Sequence, residues 1–263
     1  MTQLTPYQIY DLLNRQRPLW LVKIDLSDAN LWLVDLSASD MSWANLSRSD
    51  LSRATLIRTN LTRANLSGAN LFEALLSRAT LIGANMVRTD LTRADLGKAD
   101  LTEADLTEAN LTRASFSLAT LAGANLNQTS ASRSDFSKAN LTGVNFLGAN
   151  LNLANLFEAN LTRARLTRVS LQKADLNRAR LDGASLVDAD LTGADLTGAR
   201  LLHADLSGVN FAGADLTDAD LTGAKLERAN LSKAIVGQTD LEKANLAGAI
   251  LSDNARPVVG EMR

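Results

Sequence analysis

From Leu21 to Leu251 a large apolar side chain falls on every fifth residue, and no insertion breaks the register. Of these 47 positions, 39 are Leu, four are Phe (Phe116, Phe136, Phe146, Phe211), two are Met and one is Val236; Ala131 is the exception. Two residues before each stands a small one, which is Ala in 34 of 46 cases from position 24 to 249. Between the small and the large residue lies mostly Asp or Asn, so the consensus reads Ala-(Asp/Asn)-Leu-(Ser/Thr)-X.

A period of five excludes the two simplest backbones. On a helix, residues five apart point about 140° away from one another, so the leucines would spread around the cylinder despite the helix propensity of Ala and Leu. On a flat strand an odd period flips the leucines from face to face at each repeat. A chain that bends after each pentapeptide removes the conflict. The small and the large residue, two apart on an extended segment, then both face inward. The Asp or Asn between them and the last two residues face out or form the bend. Twelve of the 15 glycines occupy the fifth position, where a bend needs unusual dihedrals. All three prolines (Pro6, Pro18, Pro257) lie outside the repeats, as a continuous hydrogen-bond ladder requires.

Runs such as ANLSGANLFEA, ADLGKADLTEADLTEANL and ADLTGADLTGARL resemble the pentapeptide-repeat family over roughly nine-tenths of the chain. The resemblance implies an all-β fold, a right-handed quadrilateral parallel β-helix; handedness and the number of sides come from the family, not from the period. Four repeats then make a 20-residue coil. Residues 21–251 would form about eleven and a half coils, a column about 55 Å long at about 4.8 Å per coil.

The expected organisation is a capping segment (1–20), the β-helix (21–251) and a tail (252–263). Column ends expose ladder edges and need caps. Thr5 as N-cap, Pro6 at the first helical position and an apolar face of Leu4, Ile9, Leu12 and Leu13 predict a short helix over about 6–15. Trp20, Trp32, Leu33 and Trp43, near the opening coils, are expected to pack against it. The tail, with Val258 and Val259, is expected to cap weakly or to pair end to end with a second copy as a homodimer. At Ala131 a Leu-sized volume is missing, and the bulk of Phe116 and Phe136 is expected to fill it.

Chemistry is harder to find. Without cysteine the chain has no disulfide and no thiolate metal site. The lone histidine, His203, falls at a corner and is expected to be solvated. Asp95, Asp100 and Asp105 are spelled by the repeat, where Asp and Asn side chains bond neighbouring backbone, so they are not read as catalytic carboxylates. Phosphate-binding glycine motifs and calcium nonapeptides are absent. The expectation is a protein that is not an enzyme, with no cofactor, no metal and no small-molecule substrate. The N-terminus lacks a secretory pattern and no stretch reaches the 18 apolar residues of a membrane span, so a soluble, cytoplasmic protein is expected.

The outward residues remain. Arg53, Glu73, Arg93, Arg113 and Arg133 would stack as a broken basic stripe, continued at Lys173, beside a row of Asp95, Asp135, Asp175, Asp195 and Asp215. Residues 136–180 carry a net +5 and residues 181–222 a net −7, within a chain of net −2. Arg165, Arg180, Arg200 and Lys225 replace the usual Asp or Asn, and Phe72, Leu75, Phe157 and Ile235 are apolar at outward positions. Among them Arg165, Arg180, Arg200 and Phe157, with Asp190, Asp195 and Asp215, are the candidate surface contacts.

Two functions fit: a rigid scaffold binding an unidentified protein partner, or a DNA mimic that modulates or protects gyrase, as the family resemblance implies. Duplex DNA carries one charge per about 1.7 Å, so a rod about 55 Å long would need about 30 charges, which excludes full-length mimicry. The −7 stretch spans about 10 Å, where DNA carries about six charges, and allows a local acidic tip. Direct nucleic-acid binding through the basic band is disfavoured, because only Phe157 there could stack on bases and the adjacent acidic stretch repels phosphate.

Overall fold

The computed structural model describes residues 5–14, 16–237, 239, 241 and 243–251. One repeat shows how the sequence dictates the backbone. The Leu61 N–H donates to the Thr80 carbonyl (2.7 Å), the Arg63 N–H to Ile82 (2.9 Å) and the Asn65 N–H to Ala44 (2.9 Å), all in neighbouring coils. The Ala64 N–H closes the turn onto Leu61 O (3.0 Å). The fifth amide, Thr62, is taken by the Asn60 side chain (3.1 Å). Every donor is therefore satisfied within one pentapeptide, as buried backbone demands.

Each side of the coil is so short that pairing reduces to a single parallel bridge, always between residues 20 apart, from Trp20↔Asp40 to Lys225↔Asn245. That register fixes four repeats per coil. Among the described residues, two-residue strands appear only at the end, where β1 (Asn230–Leu231) pairs in parallel with β2 (Ile250–Leu251).

The fifth position is left-handed at every repeat from Lys23 to Lys233 and again at Gly248; Lys243 departs from the pattern. Gly123 and Gly193 have φ of 67° and 65°, and Arg113, Glu103 and His203 adopt 60°, 58° and 54° in the same place. Left-handed backbone costs a non-glycine residue about 1–2 kcal/mol. The ladder bonds on either side outweigh that cost at each corner.

The leucine and alanine columns fill the interior from Leu19 to Leu241, mostly with no exposure. Where Ser or Thr replaces Ala, its hydroxyl is buried and returns a bond to a carbonyl: Thr59 to Leu36 O (2.8 Å), Ser49 to Leu46 O (2.7 Å). The two sides of the coil that flank Ala131 carry aromatic rings in contact with one another. Phe116 and Phe136 stack at 4.9 Å, and Phe136 meets Phe146 edge-on at 5.8 Å. Phe146, three repeats beyond Ala131 and on the opposite side of the coil from Phe136, is the partner the sequence reading lacked.

Helix α1 spans Pro6–Leu13, with a capping box between Thr5 and Gln8 at its start. It ends short of the expected residue 15, where Asn14 turns its side chain back onto the Tyr10 carbonyl (2.8 Å). Ile9 and Leu12 pack against the core. The expected tryptophan packing is corrected: Trp20 is 79% exposed and Trp32, Leu33 and Trp43 half exposed. All four stand at outward positions of the repeat, and Trp43 instead lies under the Arg63 guanidinium, 4.9 Å from its ring centre. Leu4 and the tail 252–263, with Val258, Val259 and the end-to-end pairing, lie outside the described residues. Among the described residues no helix is long and apolar enough to cross a membrane.

Candidate interaction surface

The acidic row is first of all structural. Asp95, Asp100 and Asp105 stand on three different sides of the coil, each in register with its own column. Each accepts the amide two residues on, from Gly97, Thr102 and Thr107 (2.9–3.0 Å). They do not converge on a common point. His203 is exposed at its corner. Among the described residues no group of three or more His, Cys, Asp or Glu could hold a metal ion.

Asp190, Asp195 and Asp215 keep the same job, accepting the amides of Thr192, Thr197 and Thr217 (3.0, 2.8 and 2.9 Å). Partial burial pushes the Asp190 carboxyl up, but bonds from Thr192, Gln172 and Asn210 outweigh it and hold the group below the usual carboxylate range. Asp175, Asp195 and Asp215 form one column, in register with each other. Each of the three uses Oδ1 for the turn, through Asn177, Thr197 and Thr217. Their Oδ2 atoms have no partner among the described residues.

The basic corners are paired unevenly. Glu73 accepts from Arg53 (2.9 Å) and Arg93 (3.2 Å), one coil either side, and the bonds hold its carboxyl below the ordinary value, Arg93 contributing most. Arg88 bonds Glu108 at 2.7 Å, and Lys138 and Arg178 approach Glu158 at 3.6 and 3.9 Å. The stripe read from the sequence thus contracts. Among the described residues Arg113 and Arg133 have no acidic partner.

The replaced Asp/Asn positions separate into two kinds. Arg180 and Arg200 stack in adjacent coils and share Asp182, whose Oδ2 lies 3.8 Å from Arg180 Nη2 and 3.4 Å from Arg200 Nη2. Asp182 was missed by the sequence reading; an Asp where Ser or Thr is usual, beside one Arg and one coil from another, is the signal. Arg165 and Lys225 are exposed and belong to a different column, and Phe157 is half-buried with the Lys138 ammonium 5.9 Å from its ring centre. Arg165 and Phe157 therefore do not join Arg180 and Arg200 in one site. Leu75 and Ile235 are exposed in the column that also holds Asp175.

Two open clefts run along one side of the rod and meet at Phe72. The first, about 440 Å³, is lined by Trp32, Arg53, Asn70, Arg88 and Asp90 with Phe72. The second, about 550 Å³, runs from Phe72 along a ladder of hydroxyls (Thr92, Thr112, Ser132) flanked by Arg93, Arg113 and Arg133. A cleft that joins aromatic and arginine side chains has the composition of protein-binding hot spots.

A four-repeat parallel coil filled by stacked Leu and Ala defines a class of solenoid. The chain belongs to the pentapeptide repeat family, whose sequence pattern matches in segments that together run from residue 21 to residue 253. Among solved structures it is similar to HetL, a pentapeptide repeat protein involved in heterocyst differentiation regulation in the cyanobacterium Nostoc: 33% identity, 97% of this chain and 100% of that one, TM-score 0.46. It is also similar to a pentapeptide repeat protein of the Arabidopsis thaliana thylakoid lumen (36% identity, 39% of this chain and 64% of that one, TM-score 0.30). A third is QnrB1, a plasmid-mediated fluoroquinolone resistance protein (18% identity, 89% of this chain and 90% of that one, TM-score 0.37). Comparison with curated proteins finds no match.

Proposed function

We propose that this chain is a non-catalytic rod that binds a protein partner through the side carrying Phe72. In this reading the coil is right-handed, as the family resemblance implies, and α1 closes its N-terminal end, with Ile9 and Leu12 set on the core. The observation that carries the reading is the pair of clefts meeting at Phe72, with Trp32 at one end and the unpaired Arg113 and Arg133 at the other. The interior is apolar or hydrogen-bonded and committed to the fold, and charge varies along the rod on its exterior, where this reading places recognition.

The test is affinity capture from a native extract with the intact chain and with Phe72→Ala and Trp32→Ala. A protein recovered by the intact chain and lost with either variant is expected. Equal recovery with both variants would refute the assignment of the surface.

A second reading, a local DNA mimic acting on gyrase, has one observation in its favour: the stacked carboxylates of Asp175, Asp195 and Asp215, with Asp190 on another side. A gyrase supercoiling assay decides it. Inhibition or protection at micromolar protein, lost on Asp195→Asn with Asp215→Asn, is the expected signature; no effect removes the reading.

A further inference from the structure

We propose that the partner covering Arg113 and Arg133 is a second copy of this chain, laid antiparallel alongside the first. This rests on reading that side as an interaction surface and names its occupant.

The charges motivate it. Arg113 and Arg133 are exposed corner residues one coil apart, without an acidic partner among the described residues. Three and four coils beyond Arg133, Asp195 and Asp215 stand one above the other in the acidic column. Each carries an Oδ2 that no described group approaches. The corners just before them are Gly193 and Gly213, both left-handed, so no side chain shields the carboxylates there. A Cβ added at Gly213 would meet nothing within 4 Å. Stacked like charges at a spacing of about 4.8 Å repel one another, and the next corner, Gly198, supplies no cation either.

The pitch selects the occupant. Two arginines one coil apart need carboxylates at the same spacing, about 4.8 Å. Alternate side chains of an extended peptide stand about 6.6–6.8 Å apart, and phosphates of one DNA strand follow a different repeat again. The column of Asp195 and Asp215 has the required pitch because it is built on the same coil.

The order along the rod selects the arrangement. Arg113, Arg133, Leu153, Lys173, Gly193 and Gly213 occupy one corner of six successive coils. A two-fold axis across the rod, midway between Leu153 and Lys173, brings the level of Arg133 onto that of Gly193 and Asp195. The same axis brings Arg113 onto the level of Gly213 and Asp215. Both copies are satisfied at once, which makes the contact closed rather than fibre-forming. Leu153, 46% exposed, then faces the Lys173 stem of the other copy at the centre, an apolar contact between two charged flanks.

The experiment is sedimentation equilibrium on the intact full chain and on two charge-reversed forms. Form one carries Arg113→Glu and Arg133→Glu; form two carries Asp195→Arg and Asp215→Arg. The intact chain is expected to sediment as a dimer at low salt and to shift toward monomer as salt is raised. Each reversed form alone opposes like charges and is expected to be monomeric. An equimolar mixture restores every pair and is expected to give a dimer. A monomeric intact chain at low salt overturns the proposal, as does a dimer unaffected by either reversal, or a mixture that stays monomeric while circular dichroism shows both forms folded. A monomeric chain that still captures another protein through Phe72 would leave the proposed function standing and remove only the second copy.

Discussion

Replacing Ala131 by Leu asks whether the one missing leucine left a void. Ala131 is fully buried. Leu adds three carbons to a space bordered by aromatic rings already in contact, Phe116–Phe136 at 4.9 Å and Phe136–Phe146 at 5.8 Å. If the slot were empty, filling it would recover much of the about 2–5 kcal/mol that a buried Leu-to-Ala vacancy costs. If the rings already occupy it, the extra carbons force them off their rotamers at a cost of about 1–3 kcal/mol. The two cases differ in sign. Chemical denaturation followed by circular dichroism, on Ala131→Leu, Phe146→Leu and the double variant, reads it directly. Both single variants are expected to lose stability, and the double variant to be more stable than their sum by about 0.5–3 kcal/mol, since the two sites share one space. An Ala131→Leu variant more stable than the parent would refute the packing described for this layer.

Three further outcomes follow from the coil. Gly143→Ala is expected to lose about 1–2 kcal/mol by denaturant titration although its Cβ would touch nothing, because φ is +67° there; no loss would mean that the corners carry no strain. Asp100→Ala removes the acceptor for Thr102 N (3.0 Å) and Thr102 Oγ1 (2.6 Å) and is expected to cost about 1–2 kcal/mol, whereas Asp100→Asn keeps an acceptor and loses less. The Asp25, Asp190 and Asp220 carboxyls sit below their ordinary value of 3.8 in the fold, so their stabilisation is complete above that pH. It falls as pH drops through the lower folded values, so the denaturation midpoint should decline below about pH 4 and less steeply in Asp190→Asn.

The fold was legible because the inward residues obey packing alone, and packing repeats. The Leu and Ala beat, the glycines at the bend and the Thr5–Pro6 start of α1 each carry a local physical reason. What escaped has reasons too. The left-handed corners of Arg113 or Glu103 carry no glycine to announce them; the ladder imposes that conformation on whatever residue stands there. The tryptophans were misread because proximity in sequence to α1 was weighed above their outward place in the repeat. Phe146 was missed because its contact with Phe136 crosses the coil. The basic stripe was visible as charge, but which arginines remain free depended on Glu73 reaching one coil both ways.

Amide hydrogen exchange, resolved residue by residue along the repeats, tests most directly the claim that a five-residue beat folds this chain into stacked four-sided coils. In Leu61–Asn65, four amides bond to backbone carbonyls and the fifth, Thr62, only to the Asn60 side chain. The account predicts slow exchange that dips every fifth residue, at the position after each leucine. Unbroken protection over long runs, or a modulation of 3.6 residues, would contradict it.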